Sequence, residues 1–184
     1  MRRALAMGTA AVASVAGMIT APAASAATSA CSIQPYGLIG DYWRSLGGED
    51  SIIDCPTGVE YSIPNRNGRR QNFEDGQIAW SPDQGGRMIV AAYAAKVNGR
   101  RAVVFRWGPS TPFTYDYWKI SVRTSDGSLN RTGNVDNQPS SHGKFVVYPA
   151  AAGVKVSFTV MGCDDLRLNP CRQGWTLWVS ATSN

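Results

Sequence analysis

The sequence has one histidine, His142, in 184 residues. A hydrolase built on serine or cysteine needs a base to take the nucleophile's proton. His142 lies in the small, polar run Ser140-Ser141-His142-Gly143, which reads as a loop. There is no CxxC pair, so with one histidine the spacing for a tetrahedral zinc site is missing. Asp164-Asp165 has no spaced oxygen ligands around it for calcium, and no phosphate-cradling glycine motif is present. A glycosidase needs two facing carboxyl groups. Glu60, Glu74 and Asp75 are the candidates, but Glu74-Asp75 fall in a turn, where acids are usually just solvated. These absences assign no catalytic residue, no metal and no cofactor, and a non-enzymatic protein is expected. Charge of one sign is also scarce: 18 Lys and Arg stand against 13 Asp and Glu. Without Arg2 and Arg3 the balance is about +3, too small and too scattered for nucleic acid. It suits weak attraction to an anionic cell wall.

What is present begins at the amino terminus. Arg2-Arg3, an apolar Ala-rich run over 4–20 and the small-residue end Ala24-Ser25-Ala26 read as a secretory signal peptide over 1–26. No later stretch reaches the ~18 apolar residues of a membrane span. A secreted protein is expected, one that can be associated with the cell wall. Cys31, Cys55, Cys163 and Cys171 are an even set, which outside the cytoplasm reads as disulfides. Four cysteines allow three pairings. The spacing favours Cys31 with Cys55 and Cys163 with Cys171, because each pair then stays in one compositional half.

The first half, 27–86, is rich in glycine, aromatics and turn formers. Leu38, Tyr42 and Leu46 recur at helical spacing beside Ile39 and Trp43, which predicts a short helix within 34–46 stopped by Gly47-Gly48. Arg69 to Phe73 and Gln77 to Trp80 read as a hairpin turning at Glu74-Asp75-Gly76, closed by Ser81-Pro82-Asp83. The stretch Tyr36, Leu46-Gly47-Gly48, Ile53-Asp54-Cys55-Pro56, Phe73, Gly76, Ile78, Trp80, Ser81 resembles one copy of the LGFP repeat over about 33–86. Ile53-Asp54-Cys55-Pro56 stands where the family has Leu-Gly-Phe-Pro, and Cys55 there implies a bridge to Cys31. LGFP repeats usually occur in tandem on exported actinobacterial proteins and are thought to attach them to the envelope. The resemblance implies that role here, with a cell-wall glycan or envelope polymer as partner.

The second half, 87–184, alternates with period 2. Val103, Phe105 and Trp107 take one face of their run, Trp118, Ile120 and Val122 one face of theirs. Val154, Val156, Phe158 and Val160 follow, then Trp175, Leu177 and Val179. Met88 to Tyr93 and Lys144 to Tyr148 are further short strands. Asn98-Gly99, Gly108-Pro109, Asp126-Gly127 and Ala152-Gly153 mark turns between. This grammar predicts an immunoglobulin-like antiparallel β-sandwich, so the chain as a whole is expected to be mainly β. The order of features resembles a fibronectin type III domain, although Val156 stands where that family carries its corner tyrosine.

Aromatic side chains remain as candidate ligand contacts. Trp107, Trp118 and Trp175 are expected in the core. Trp178 is out of phase with its neighbours. In a fibronectin-like order it shares an outer sheet face with Tyr117, Lys119, Lys155, Ser157, Thr159 and Thr176. Tyr117, Lys155 and Trp178, with Trp43 and Trp80 of the first half, are the residues expected to touch a ligand. In small Gly-rich modules such tryptophans are more often core, and the alternative for Trp178 is that it covers lysine stems or packs against the first half. Three functional classes follow. The first is an envelope-binding protein. The second is a scaffold or inhibitor that presents Leu166-Arg167-Leu168 from the Cys163–Cys171 loop to another protein. The third is a wall hydrolase using Glu60.

Overall fold

The computed structural model of the chain describes residues 31–165 and 168–184. The expected signal peptide lies outside the described residues, as do Leu166 and Arg167 of the disulfide loop. Among the described residues one α-helix, α1 (Gly37–Ser45), precedes ten strands: β1 (Tyr61–Ser62), β2 (Arg69–Phe73), β3 (Gly76–Trp80), β4 (Ile89–Val97), β5 (Arg100–Gly108), β6 (Tyr117–Thr124), β7 (Asn130–Val135), β8 (Gly143–Val147), β9 (Lys155–Cys163) and β10 (Val179–Thr182). They form two sheets, ordered β1-β2-β3-β4-β5-β8 and β10-β9-β6-β7, with every pairing antiparallel. The mainly β sandwich expected from the sequence is what the chain adopts. The expected boundary at 86/87 falls between β3 and β4, which are hydrogen-bonded neighbours from Gly76↔Tyr93 to Trp80↔Ile89.

The middle of the larger sheet is buried on both faces, and alternation along β4 and β5 explains why. Val90, Ala92, Val103, Phe105 and Trp107 point toward the second sheet and meet Trp118, Ile120, Val122, Val156, Phe158 and Val160. Phe105 stacks on Phe158 with ring centroids 4.5 Å apart, and Trp107 meets Trp118 edge-on at 5.7 Å. Ile89, Ala91, Tyr93 and Val104 point the other way. There they form a second core with Ile39 and Trp43 of α1 and with Ile53, Phe73 and Ile78. Strands apolar on both faces are those covered on both sides. The fold is therefore three layers: helix and loops, six-stranded sheet, four-stranded sheet.

The helix buries Ile39, Gly40 and Trp43, while Leu38, Tyr42 and Leu46 pack only partly, so its seam is one residue round from the expected stripe. It stops at Gly47, whose φ of 117° lies in the left-handed region that glycine tolerates. Disulfides join Cys31 to Cys55 and Cys163 to Cys171. The first ties the segment before α1 to the loop before β1. The second closes the loop after β9.

Two expectations need correction. Trp175 to Trp178 is not strand; β10 begins at Val179. The ladder is only partly kept there: Thr176 N donates to the Val160 carbonyl at 2.9 Å, but Val160 N donates to the Thr176 hydroxyl at 3.1 Å and Leu177 N to Ser81 Oγ at 2.8 Å. Trp175, in this irregular stretch just after Gly174 (φ 69°), is only half-buried and outside the core. The structure also adds a strand, β7, which pairs with β6 from Trp118↔Val135 to Arg123↔Asn130.

Candidate functional site

β3 presents two sets of side chains. Ile78 and Trp80 face α1. Gln77, Ala79 and Ser81 face the second sheet, where Gln77 and Ser81 hold the free edge of β10. Each set builds one cleft.

On the helix side, Trp80, Tyr36, Leu38 and Ile39 wall a cleft of about 200 Å³ whose other lining includes Glu60 and Arg69. Drug-sized pockets run to about 300–1,000 Å³, so this one suits a single sugar ring. The Trp80 indole is held by its Nε1–H, which donates to the Gly86 carbonyl at 2.9 Å. Tyr36 precedes α1 and is 61% exposed, which makes its ring the accessible wall. Glu60 and Arg69 form an ion pair, and Arg69 also donates to the Glu60 carbonyl at 3.1 Å and to Ser62 Oγ at 3.1 Å. The pair gives an otherwise apolar cleft one polar side.

On the opposite side, a cleft of about 380 Å³ is lined by Arg70, Gln77, Arg123, Lys155, Ser157, Trp178, Val179 and Ser180. Gln77, Lys155 and Ser180 also line a neighbouring cleft of about 230 Å³ that reaches Asn72, Glu74 and Thr182. Gln77 Oε1 accepts from Ser180 N at 2.8 Å and from Ser180 Oγ at 3.1 Å, while its amide donates to Asn72 Oδ1 at 2.9 Å. The Arg123 guanidinium lies 5.0 Å from the centre of the Trp178 ring.

Of the residues expected to touch a ligand, the fold brings Lys155 and Trp178 into one cleft and puts Trp80 in the other. Tyr117 is at the far end of β6, paired with Cys163 while Thr124 pairs with Val156. At ~3.3 Å per residue it is about 25 Å from Lys155. Trp43 is 2% exposed, and its Nε1–H donates to the Asp54 carbonyl at 3.0 Å. Its ring fills the helix-side core, so no face is left for a ligand. Arg70, Gln77 and Arg123 were not expected at the site. Arg123 follows Tyr117, Lys119 and Ser121 in parity along β6, which marks it as outward-facing. Arg70 and Gln77 belong to the other sheet, and only the docking of β10 on β3 brings them in.

Asp54, Cys55 and Glu74 bring three potential metal ligands together. Cys55 is in a disulfide, so its sulfur is not a thiolate donor. His142 lines a separate cleft with Tyr42, Arg106 and Trp107. Its Nδ1 lies 3.2 Å from Ser141 Oγ, an exposed contact between chain neighbours.

The family model of the LGFP repeat matches residues 55–108, and that segment is an LGFP repeat. The match begins at Cys55 and runs through β4 and β5. It therefore starts later than the expected 33–86 and continues further. No curated protein matches the chain. Among solved structures, the chain is similar to the crystal structure of a Br derivative of BhCBM56. Identity is 13%, with 68% of this chain and 99% of that chain covered at a TM-score of 0.36. A likeness of that size carries no argument about fold or ligand.

Proposed function

We propose that this is an exported, non-catalytic binding protein that attaches to cell-wall glycan through its LGFP repeat. The observation that carries the reading is Trp80. It belongs to the hairpin signature Phe73, Gly76, Ile78, Trp80, Ser81, and with exposed Tyr36 it walls a cleft the size of a sugar ring. Aromatic walls stack on the apolar faces of pyranose rings, and the Glu60–Arg69 pair supplies donors and acceptors for ring hydroxyls. Two disulfides and the repeat support an extracellular setting. The strand order β4-β5-β8 against β10-β9-β6-β7 supports a fibronectin type III-like sandwich as the body that carries the cleft.

The test is retention of the protein on purified peptidoglycan. Tyr36→Ala removes the accessible wall without touching the core, and is expected to cut retention up to about tenfold with an unchanged melting temperature. Equal retention of variant and parent would sink the assignment of this cleft.

A second reading rests on Leu168, which is fully exposed next to the Cys163–Cys171 bridge. The base of that loop is held by Asp164 N to the Pro170 carbonyl at 2.8 Å and by Asp165 N to Asp116 Oδ2 at 2.9 Å. An apolar side chain exposed beside a disulfide suits a protein partner. Leu168→Asp is expected to abolish capture of an exported protein and to leave wall retention intact. Capture that is indifferent to this change removes the second reading.

A further inference from the structure

We propose that the cleft between β3 and the outer face of the second sheet is a separate binding site for an acidic glycan, one whose sugar rings carry carboxylate or phosphate groups. It goes beyond wall attachment through the Trp80 cleft, because its lining residues are different and lie on the other face of the hairpin.

Three cations converge there from three strands: Arg70 on β2, Arg123 on β6 and Lys155 on β9. Among the described residues none of them has an ion-pair partner within 4.0 Å. The main cleft has no carboxylate in its lining. Glu74 lines only the neighbouring extension. Arg70 Nε is buried without a hydrogen-bond partner, and a buried donor left unpaired is costly. The rest of the lining fits a sugar: Trp178 is half-exposed beside Arg123, and Ser157, Ser180 and Gln77 add hydroxyl and amide groups. The Gln77–Ser180 bonds fix the floor before any ligand arrives, which lowers the ordering cost of binding. An aromatic ring flanked by unpaired cations selects a ring that carries charge over a neutral one. Carboxylate and phosphate share that chemistry.

The test is titration of the full secreted chain, residues 27–184, with four polymers: polygalacturonate, a phosphodiester-linked teichoic acid, neutral dextran and single-stranded DNA. At least one acidic glycan is expected to bind more tightly than dextran and DNA. Its affinity is expected to fall several-fold as salt is raised from about 50 to 300 mM. Lys155→Gln and Arg123→Gln are each expected to weaken it about 3- to 10-fold with unchanged melting. Trp178→Ala weakens it too. Lys119→Gln, a cation on the same sheet outside the cleft, does not. Binding of only the carboxylate or only the phosphate polymer supports the proposal and identifies the anion. Equal affinity for dextran overturns it while leaving the glycan-binding reading standing. DNA binding as tight as the acidic glycans, lost in the same variants, also overturns it. So does the absence of any acidic-glycan binding, whatever wall retention shows.

Discussion

A Cβ built on Gly76 lies 2.0 Å from the carbonyl oxygen of Ala92 on β4, so this hairpin glycine is set by the approach of backbone to backbone. No rotation relieves a contact with main chain. Gly76→Ala is expected to cost about 2–3 kcal/mol, read as a lower denaturation midpoint, and an unchanged midpoint would show that β4 yields. Tyr115 shows the same closeness from the other side: a Cβ on Gly162 falls 2.1 Å from its ring. Burial pushes the Tyr115 hydroxyl up to about 12 from its ordinary 10.0, the Asp164 carboxylate adds to the rise and Arg172 opposes it. The folded state therefore holds this proton where the unfolded chain has released it. The stability involved is intact below pH 10 and is lost as pH climbs from about 10 toward 12. A loss on the order of 2 kcal/mol is expected across that window. Tyr115→Phe removes that share of the alkaline slope, and urea midpoints at pH 8.5 and 11 for both proteins measure it. Parallel slopes would mean the hydroxyl ionises freely in the fold.

The short 3₁₀ turn Pro82–Gln84 leads from β3 to β4, and Gln84 is wholly buried in it. Its amide donates to the Gly174 carbonyl, its Oε1 accepts from Gly162 N at 3.0 Å, and its own carbonyl accepts from the Tyr115 hydroxyl at 3.4 Å. One side chain thus ties the repeat to β9 and to the approach to β10. Gln84→Ala leaves the Gly162 N–H and the Gly174 carbonyl without these partners and opens a cavity, an expected loss of about 2–4 kcal/mol in chemical denaturation. A loss below about 1 kcal/mol would show that water replaces the amide. The bounds of β2 and β6 were legible in the sequence: turn signals enclose Arg69 to Phe73, and Tyr117 to Thr124 alternates cleanly. β7 was not. Asn-Arg-Thr-Gly-Asn-Val is an exposed edge strand with no buried face to impose a hydrophobic period. Of β10 only Val179 was legible: the expected strand over 175–179 shares no other residue with it, because the Thr176 and Ser81 hydroxyls take two of the ladder positions before it. The candidate site divides the same way. Lys155 and Trp178 follow from alternation and strand order within one sheet. Arg70 and Gln77 come from the contact of β10 with β3, which no local pattern encodes.

Across the compositional change near residue 86 the six-stranded sheet runs without a break. β4 is covered by the sandwich core on one face and by α1 with its loops on the other, and both its edges are paired, to β3 and to β5. Removing 27–86 strips one edge and one face at once. Ile89, Ala91, Tyr93 and Val104 then meet water, Ser180 N loses Gln77, and Leu177 N loses Ser81. A bare, apolar, unpaired strand edge is also a route to aggregation. Residues 27–184 are therefore expected to unfold in one cooperative step with calorimetric and van't Hoff enthalpies in agreement, and fragment 87–184 is expected to aggregate or to lack a folded spectrum. Opening Cys31–Cys55, which spans 24 residues, is expected to lower that single transition by about 3 kcal/mol rather than to split it. Two resolved transitions, or a well-dispersed NMR spectrum from 87–184 alone, would mean that the sandwich core suffices and that the helix-side core is an addition to it. A single transition means that the two clefts sit on one rigid body, on opposite faces of the same hairpin, so that ligands at the two are held at a fixed separation.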